Sequence, residues 1–76
     1  MKLPEPIKDG GDLVWQITPK ISAIVYKTGG TFGGHPPRAQ QWTVEVHGPV
    51  YVYVCQCLPT RKACIAAIPS LLRSMP

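Results

Sequence analysis

The stretch from Trp42 to Cys57 constrains the fold of this chain most. Trp42, Val44 and Val46 alternate with Thr43, Glu45 and His47; Gly48-Pro49 follows, and then Val50-Tyr-Val-Tyr-Val-Cys-Gln-Cys57. A period of two over such lengths is the signature of β-strands, and two such runs around a Gly-Pro step read as a hairpin. Glycine in first place suits a two-residue type II′ loop. In that register Val46 faces Tyr51, Val44 faces Tyr53 and Trp42 faces Cys55. One sheet face then carries Trp42, Val44, Val46, Tyr51, Tyr53, Cys55 and Cys57. A three-residue loop turns the second strand over, because a one-residue slip exchanges the faces. Val52 and Val54 then join the core, and Tyr51 and Tyr53 point outward. Turn chemistry favours the first register.

Two further strands precede this hairpin. Residues 13–17 and 21–27 are rich in β-formers, and Thr18-Pro19-Lys20-Ile21 suits a type I turn with proline in second place. Residues 28–40 form a long glycine-rich loop with Phe32 among four glycines. After the last strand, Thr60 is a good N-cap, and Cys64, Ile65, Ile68 and Leu72 form an apolar stripe at helical spacing. Pro69 should end or kink the helix, since an interior proline costs about 3 kcal/mol. The spacing predicts a helix over 60–68 and a short turn over 70–74. The Pro/Gly-rich residues 1–11 read as a flexible N-terminal arm, and residues 12–76 as one domain. The expected fold is α+β: a four-stranded antiparallel sheet with one C-terminal helix on one face, in the order ββββα.

Bulk composition narrows the function. With 76 residues, 45% of them apolar and 16% charged, the chain is too apolar to be disordered and too short for a two-lobed enzyme. Three cysteines, an odd number, argue against a secreted disulfide framework. The first residues lack the apolar run of a signal peptide, and no stretch reaches the roughly 20 apolar residues of a membrane span. The expectation is a reduced cytoplasmic protein, acting in the host cytoplasm if phage-encoded. Net charge is +4, unevenly spread: residues 1–12 sum to −1, and residues 13–76 hold six bases against Glu45 alone, a sum of +5. A basic body favours nucleic acid or an acidic protein surface as partner.

Several constellations invite a chemical reading. Cys55, Cys57 and Cys64 with His35 or His47 offer zinc ligands, but Cys-x-Cys on a strand holds its sulfurs roughly 7 Å apart at the backbone, wide for one tetrahedral site. Small buried hydrophobes are the plainer reading of these cysteines. Cys64 falls on the apolar stripe, which suits packing better than nucleophilic chemistry. Glu45 and His47 share one strand face and suit a surface ion pair. Gly29-Gly30-Thr31-Phe32-Gly33-Gly34 lacks the Lys-Ser/Thr ending of a phosphate-binding loop and reads as a hairpin connection. Arg61 and Lys62 break the rule that helix starts favour acids. Exposed beside free backbone N–H groups they would make the helix start an anion site, with a simple solvated cap as the plainer reading. Tyr51 and Tyr53, if exposed, suit base stacking or a protein interface.

The run Trp42-Thr-Val-Glu-Val-His-Gly, a following strand, and Leu-Pro-Thr-Arg-Lys-Ala-Cys-Ile-Ala-Ala-Ile resembles the C-terminal half of double-stranded-RNA-binding domains. That resemblance implies that Arg61 and Lys62 grip phosphates across a groove. In size and architecture the chain also resembles small phage-encoded accessory proteins, including anti-CRISPR proteins, which implies a stoichiometric inhibitor. The leading expectation is therefore a non-catalytic inhibitor or adaptor that docks on a larger host protein or nucleoprotein complex. The alternative is direct binding of DNA or RNA. No enzyme, cofactor, metal or membrane partner is expected. The candidate contact residues are Lys20, Lys27, Phe32, Arg38, Tyr51, Tyr53, Arg61 and Lys62. So small a domain also makes homodimerisation, through a sheet edge or a spare valine face, an option.

Overall fold

Alternating side chains divide the sheet into two unlike faces, and the helix selects one of them. A computed structural model describes residues 3–28, 38–50 and 53–75. Its strands are β1 (Ile7–Asp9), β2 (Asp12–Thr18), β3 (Ile21–Lys27), β4 (Trp42–His47) and β5 (Tyr53–Leu58), followed by helix α1 (Arg61–Ser74). All neighbours pair antiparallel, in the order β1-β2-β3-β4-β5. A 3-10 turn, Arg38–Gln40, precedes β4.

The α+β class and the C-terminal helix match the sequence reading, but the sheet has five strands rather than four. The additional strand, β1, lies within the segment expected to be an arm. Ile7 pairs with Val14 and Asp9 with Asp12, which leaves Gly10-Gly11 as a two-residue turn. Gly10 has φ +65°, the left-handed conformation that tight hairpins require and glycine adopts without steric cost. Leu3, further back, packs partly buried against the core. Gly10-Gly11, read from sequence as part of a flexible arm, thus forms the turn of a hairpin.

The β2–β3 turn falls where Pro19 and Lys20 predict it. The Thr18 hydroxyl accepts from the backbone N–H groups of Lys20 (3.2 Å) and Ile21 (3.0 Å). A register shift between Gln16 and Thr18 marks a bulge at the end of β2.

The β4–β5 hairpin corrects the favoured register. His47 pairs with Tyr53, Val46 with Val54, Val44 with Gln56 and Trp42 with Leu58. The connection is therefore longer than Gly48-Pro49 alone, and Val50 within it has φ 58°. The faces follow the alternative parity: Val54, Gln56 and Leu58 share the side of Trp42, Val44 and Val46. Burial outweighs turn preference here. Fully burying a valine or leucine is worth about 1.5–3 kcal/mol. A Tyr53 ring on the helix side would instead carry a hydroxyl into the core. Tyr51 and Val52 lie outside the described residues.

Helix α1 lies over β3, β4 and β5. Leu13, Trp15, Ala23, Val25, Val44, Val46, Cys64 and Ile68 form the buried core. Trp15 stands opposite Ala23, so the largest side chain of the layer faces the smallest. Thr60 caps the helix as expected, accepting from the Ala63 N–H at 3.0 Å. The helix does not stop at residue 68, however: it runs through Pro69 to Ser74. Ile65, Leu71, Leu72 and Met75 all pack against the core, and this apolar burial holds the last turns in place beyond the proline. Among the described residues, no helix is long and apolar enough to cross a membrane.

Candidate binding site

Strand pairing sorts the basic residues to the two ends of the sheet. Lys27 closes β3 opposite Trp42, at the end where β5 finishes and α1 begins. Arg61 opens α1, and its guanidinium carbon lies 5.8 Å from the centroid of the Trp42 ring. That is a cation–π distance. The indole lies beneath the guanidinium itself, and Arg61 remains exposed. Lys62 is the next residue of the helix and Arg38 sits in the turn before β4; both are exposed. Lys8, not singled out from sequence, joins them through β1: it lines a cavity of 190 Å³ together with Arg61, Asp12, Leu13 and the Gly10-Gly11 turn. Lys8, Lys27, Arg38, Arg61 and Lys62 thus converge on one end of the domain. Asp9 and Asp12 are the acids nearby. Among the described residues, no lysine or arginine takes part in an ion pair; the pair present is His47–Glu45.

Lys20 is placed elsewhere. It occupies the β2–β3 turn, seven residues from Lys27 along the chain and hence roughly 23 Å away at the opposite end of the sheet. Phe32 and Tyr51 lie outside the described residues, as do the glycine loop and His35. Tyr53 is 58% exposed on the sheet face away from the helix.

That open face carries a polar chain which sequence spacing showed only in part. The Tyr26 hydroxyl donates to Glu45 Oε2, and His47 Nε2 donates to Glu45 Oε1 at 2.9 Å. The His47 ring stacks on Tyr53, with centroids 5.5 Å apart and planes 16° from parallel. Thr43 joins Thr28 at 2.5 Å and Cys57 Sγ at 3.5 Å. The Glu45–His47 pair was visible as an i, i+2 spacing. Tyr26 was not, because it reaches Glu45 across the β3–β4 ladder. Its hydrogen bond to the Glu45 carboxylate, with burial and the nearby negative charge adding to it, pushes the Tyr26 pKa up from 10.0 to about 12.

A tyrosine with a raised folded-state pKa contributes stability that is complete below the unfolded value and lost as pH rises toward the folded one. Tyr26 should therefore contribute in full up to about pH 10 and lose its contribution between pH 10 and about 12. In an absorbance titration of phenolate, one tyrosine should ionise about two pH units late. Glu45→Gln should return that tyrosine toward its ordinary range. A late tyrosine that persists in this variant would show that Glu45 is not the cause.

The cysteines are split by the sheet itself. Cys64 is buried in the helix layer, and burial raises its pKa, as suits a packed, unreactive thiol. Cys55 and Cys57 are exposed on the open face. Among the described residues no group of three or more His, Cys, Asp or Glu is placed to hold a metal. The chain matches no family model, no curated protein and no solved structure.

Proposed function

We propose that this protein is a non-catalytic binding protein, of the inhibitor or adaptor type, whose basic end docks on the phosphate backbone of a nucleic acid, free or within a nucleoprotein complex. The observation that carries this reading is the gathering of Lys8, Lys27, Arg38, Arg61 and Lys62 at one end of the domain without ion-paired partners among the described residues. The start of α1 adds its backbone N–H groups and the positive end of its dipole to the same end. Arg61 and Lys62, unfavourable for the helix alone, are well placed for an anion. The open face is less suited to phosphate: Glu45 lies at its centre, bonded to Tyr26 and His47.

Fluorescence anisotropy with labelled duplex DNA, duplex RNA and both single strands tests this across a range of salt. Affinity should fall steeply with salt, by about one logarithmic unit per logarithmic unit of salt for each phosphate contact. Lys27→Ala, Arg61→Ala and Lys62→Ala should each flatten that slope by about one. Lys20→Ala, at the far end, should leave it unchanged. An equal effect from Lys20→Ala would mean diffuse attraction to a basic protein and would sink the localised site. Absence of binding to all four nucleic acids at low salt would overturn the reading and leave a protein partner at the open face around Tyr53.

A further inference from the structure

The sheet has two outer edges, and they are built differently. β1 is three residues long, carries Lys8 and Asp9, and follows Pro4 and Pro6. Shortness, charge and proline are the devices by which sheets discourage edge-to-edge pairing. β5 is less protected: Pro59 follows it, but its six residues, Tyr53–Leu58, contain no charge, no proline and no register shift against β4. Tyr53, Cys55, Gln56 and Cys57 are all exposed; the 3-10 turn Arg38–Gln40 touches β5, but among the described residues no strand pairs with its outer side. An uncharged edge of this length is a template for another strand.

The order of residues indicates which strand. Val54-Cys55-Gln56-Cys57-Leu58 is nearly a palindrome. A two-fold interface requires that residue i of one copy meet residue j of the other and the reverse. We infer that two copies of this chain pair antiparallel through β5, about a two-fold axis at Gln56, to form one continuous ten-stranded sheet.

In that register like meets like on both faces. Val54 lies opposite Leu58 of the second copy on the helix side. Gln56 meets its own counterpart, and a side-chain amide offers both the donor and the acceptor for that contact. Cys55 lies opposite Cys57 of the second copy, twice, on the open face. The helices leave room. With α1 centred over β4 and strands about 4.8 Å apart, the two helix axes would run roughly 14 Å apart, beyond the 8–10 Å of packed helices. Antiparallel pairing also directs the two basic ends away from each other along the strands, so the +4 charges of the copies do not meet there. This pairing is independent of nucleic-acid binding.

Light scattering of the reduced protein should give twice the 8.3 kDa of the chain. Gln56→Lys puts like charges opposite each other at the axis and should return the mass to a monomer, with the circular dichroism unchanged. Diamide supplies the register test. It takes two protons and two electrons from a pair of thiols, becoming the hydrazide as one disulfide forms. Facing strands lie within the Cα range a disulfide spans. Wild type should cross-link to a covalent dimer on a non-reducing gel. Cys55→Ser alone and Cys57→Ser alone should each lose the cross-link, because each removes one member of both pairs. Mixing the two variants should restore it, since Cys57 of one then meets Cys55 of the other. A monomeric mass up to hundreds of micromolar would overturn the pairing. Cross-linking by either variant alone, or none from the mixture, would overturn the register.

Discussion

Trp15→Ala is expected to remove about 3–5 kcal/mol of stability, the usual cost of truncating a buried aromatic side chain. Trp15 is 3% exposed and sits on β2 in the layer with Ala23, Val25, Val44 and Val46. Helix α1 lies chiefly over β3, β4 and β5. Little else is therefore available to collapse into the space left by the indole. At roughly 0.05–0.15 kcal/mol per residue, a chain of 76 residues has only about 4–11 kcal/mol in total. The variant should lose a quarter or more of its stability and at the low end should not fold. Urea denaturation at fixed protein concentration measures this, with Ile7→Ala as the contrast because Ile7 is 62% exposed. Equal midpoints for the two variants would contradict the placement of Trp15 in the core.

Pro69→Ala is expected to have the opposite sign. Pro69 is the ninth residue of α1 and has no N–H to offer the Ile65 carbonyl one turn earlier. An interior proline costs about 3 kcal/mol. Alanine would recover most of that, less up to about 1 kcal/mol for the greater freedom it gives the unfolded chain. A gain of about 2 kcal/mol in denaturant unfolding is the expected result. Destabilisation instead would mean that the proline at 69 is itself what seats Leu71, Leu72 and Met75 against the sheet.

Much of the architecture was legible residue by residue. Alternation in Trp42–His47 placed β4, the β-branched run Ile21–Lys27 placed β3, and Pro19-Lys20 placed the turn before it. Thr60 and the stripe through Cys64 and Ile68 located the start and the buried face of α1. The errors came where a local rule met a longer-range gain. Gly48-Pro49 suggested a tight turn, but the register that packs half-buried Val54 beside Val46 needed a longer connection. Pro69 argued for a helix end, but the apolar residues after it had a sheet to cover. Ile7–Asp9 has little strand propensity of its own and exists as a strand because β2 offers it an edge.

The candidate site divides the same way. Arg61 and Lys62 stood out in the sequence as bases at a helix start, a local conflict visible without coordinates. Their company did not. Lys8, Lys27 and Arg38 are 54, 35 and 24 positions from Lys62. Only the meander of strands brings their segments to one end of the sheet, and it carries Lys20 to the other. Likewise Tyr26 meets Glu45 only across a ladder.

Sequence alone determined the class of structure, since side-chain period, turn residues and a helix cap are local properties of a few neighbouring residues. Tertiary structure decided the fifth strand, the face each cysteine occupies and which cations lie at the same end of the sheet. Those outcomes depend on register, and register is chosen by burial summed over the whole sheet, which no short stretch of the chain contains.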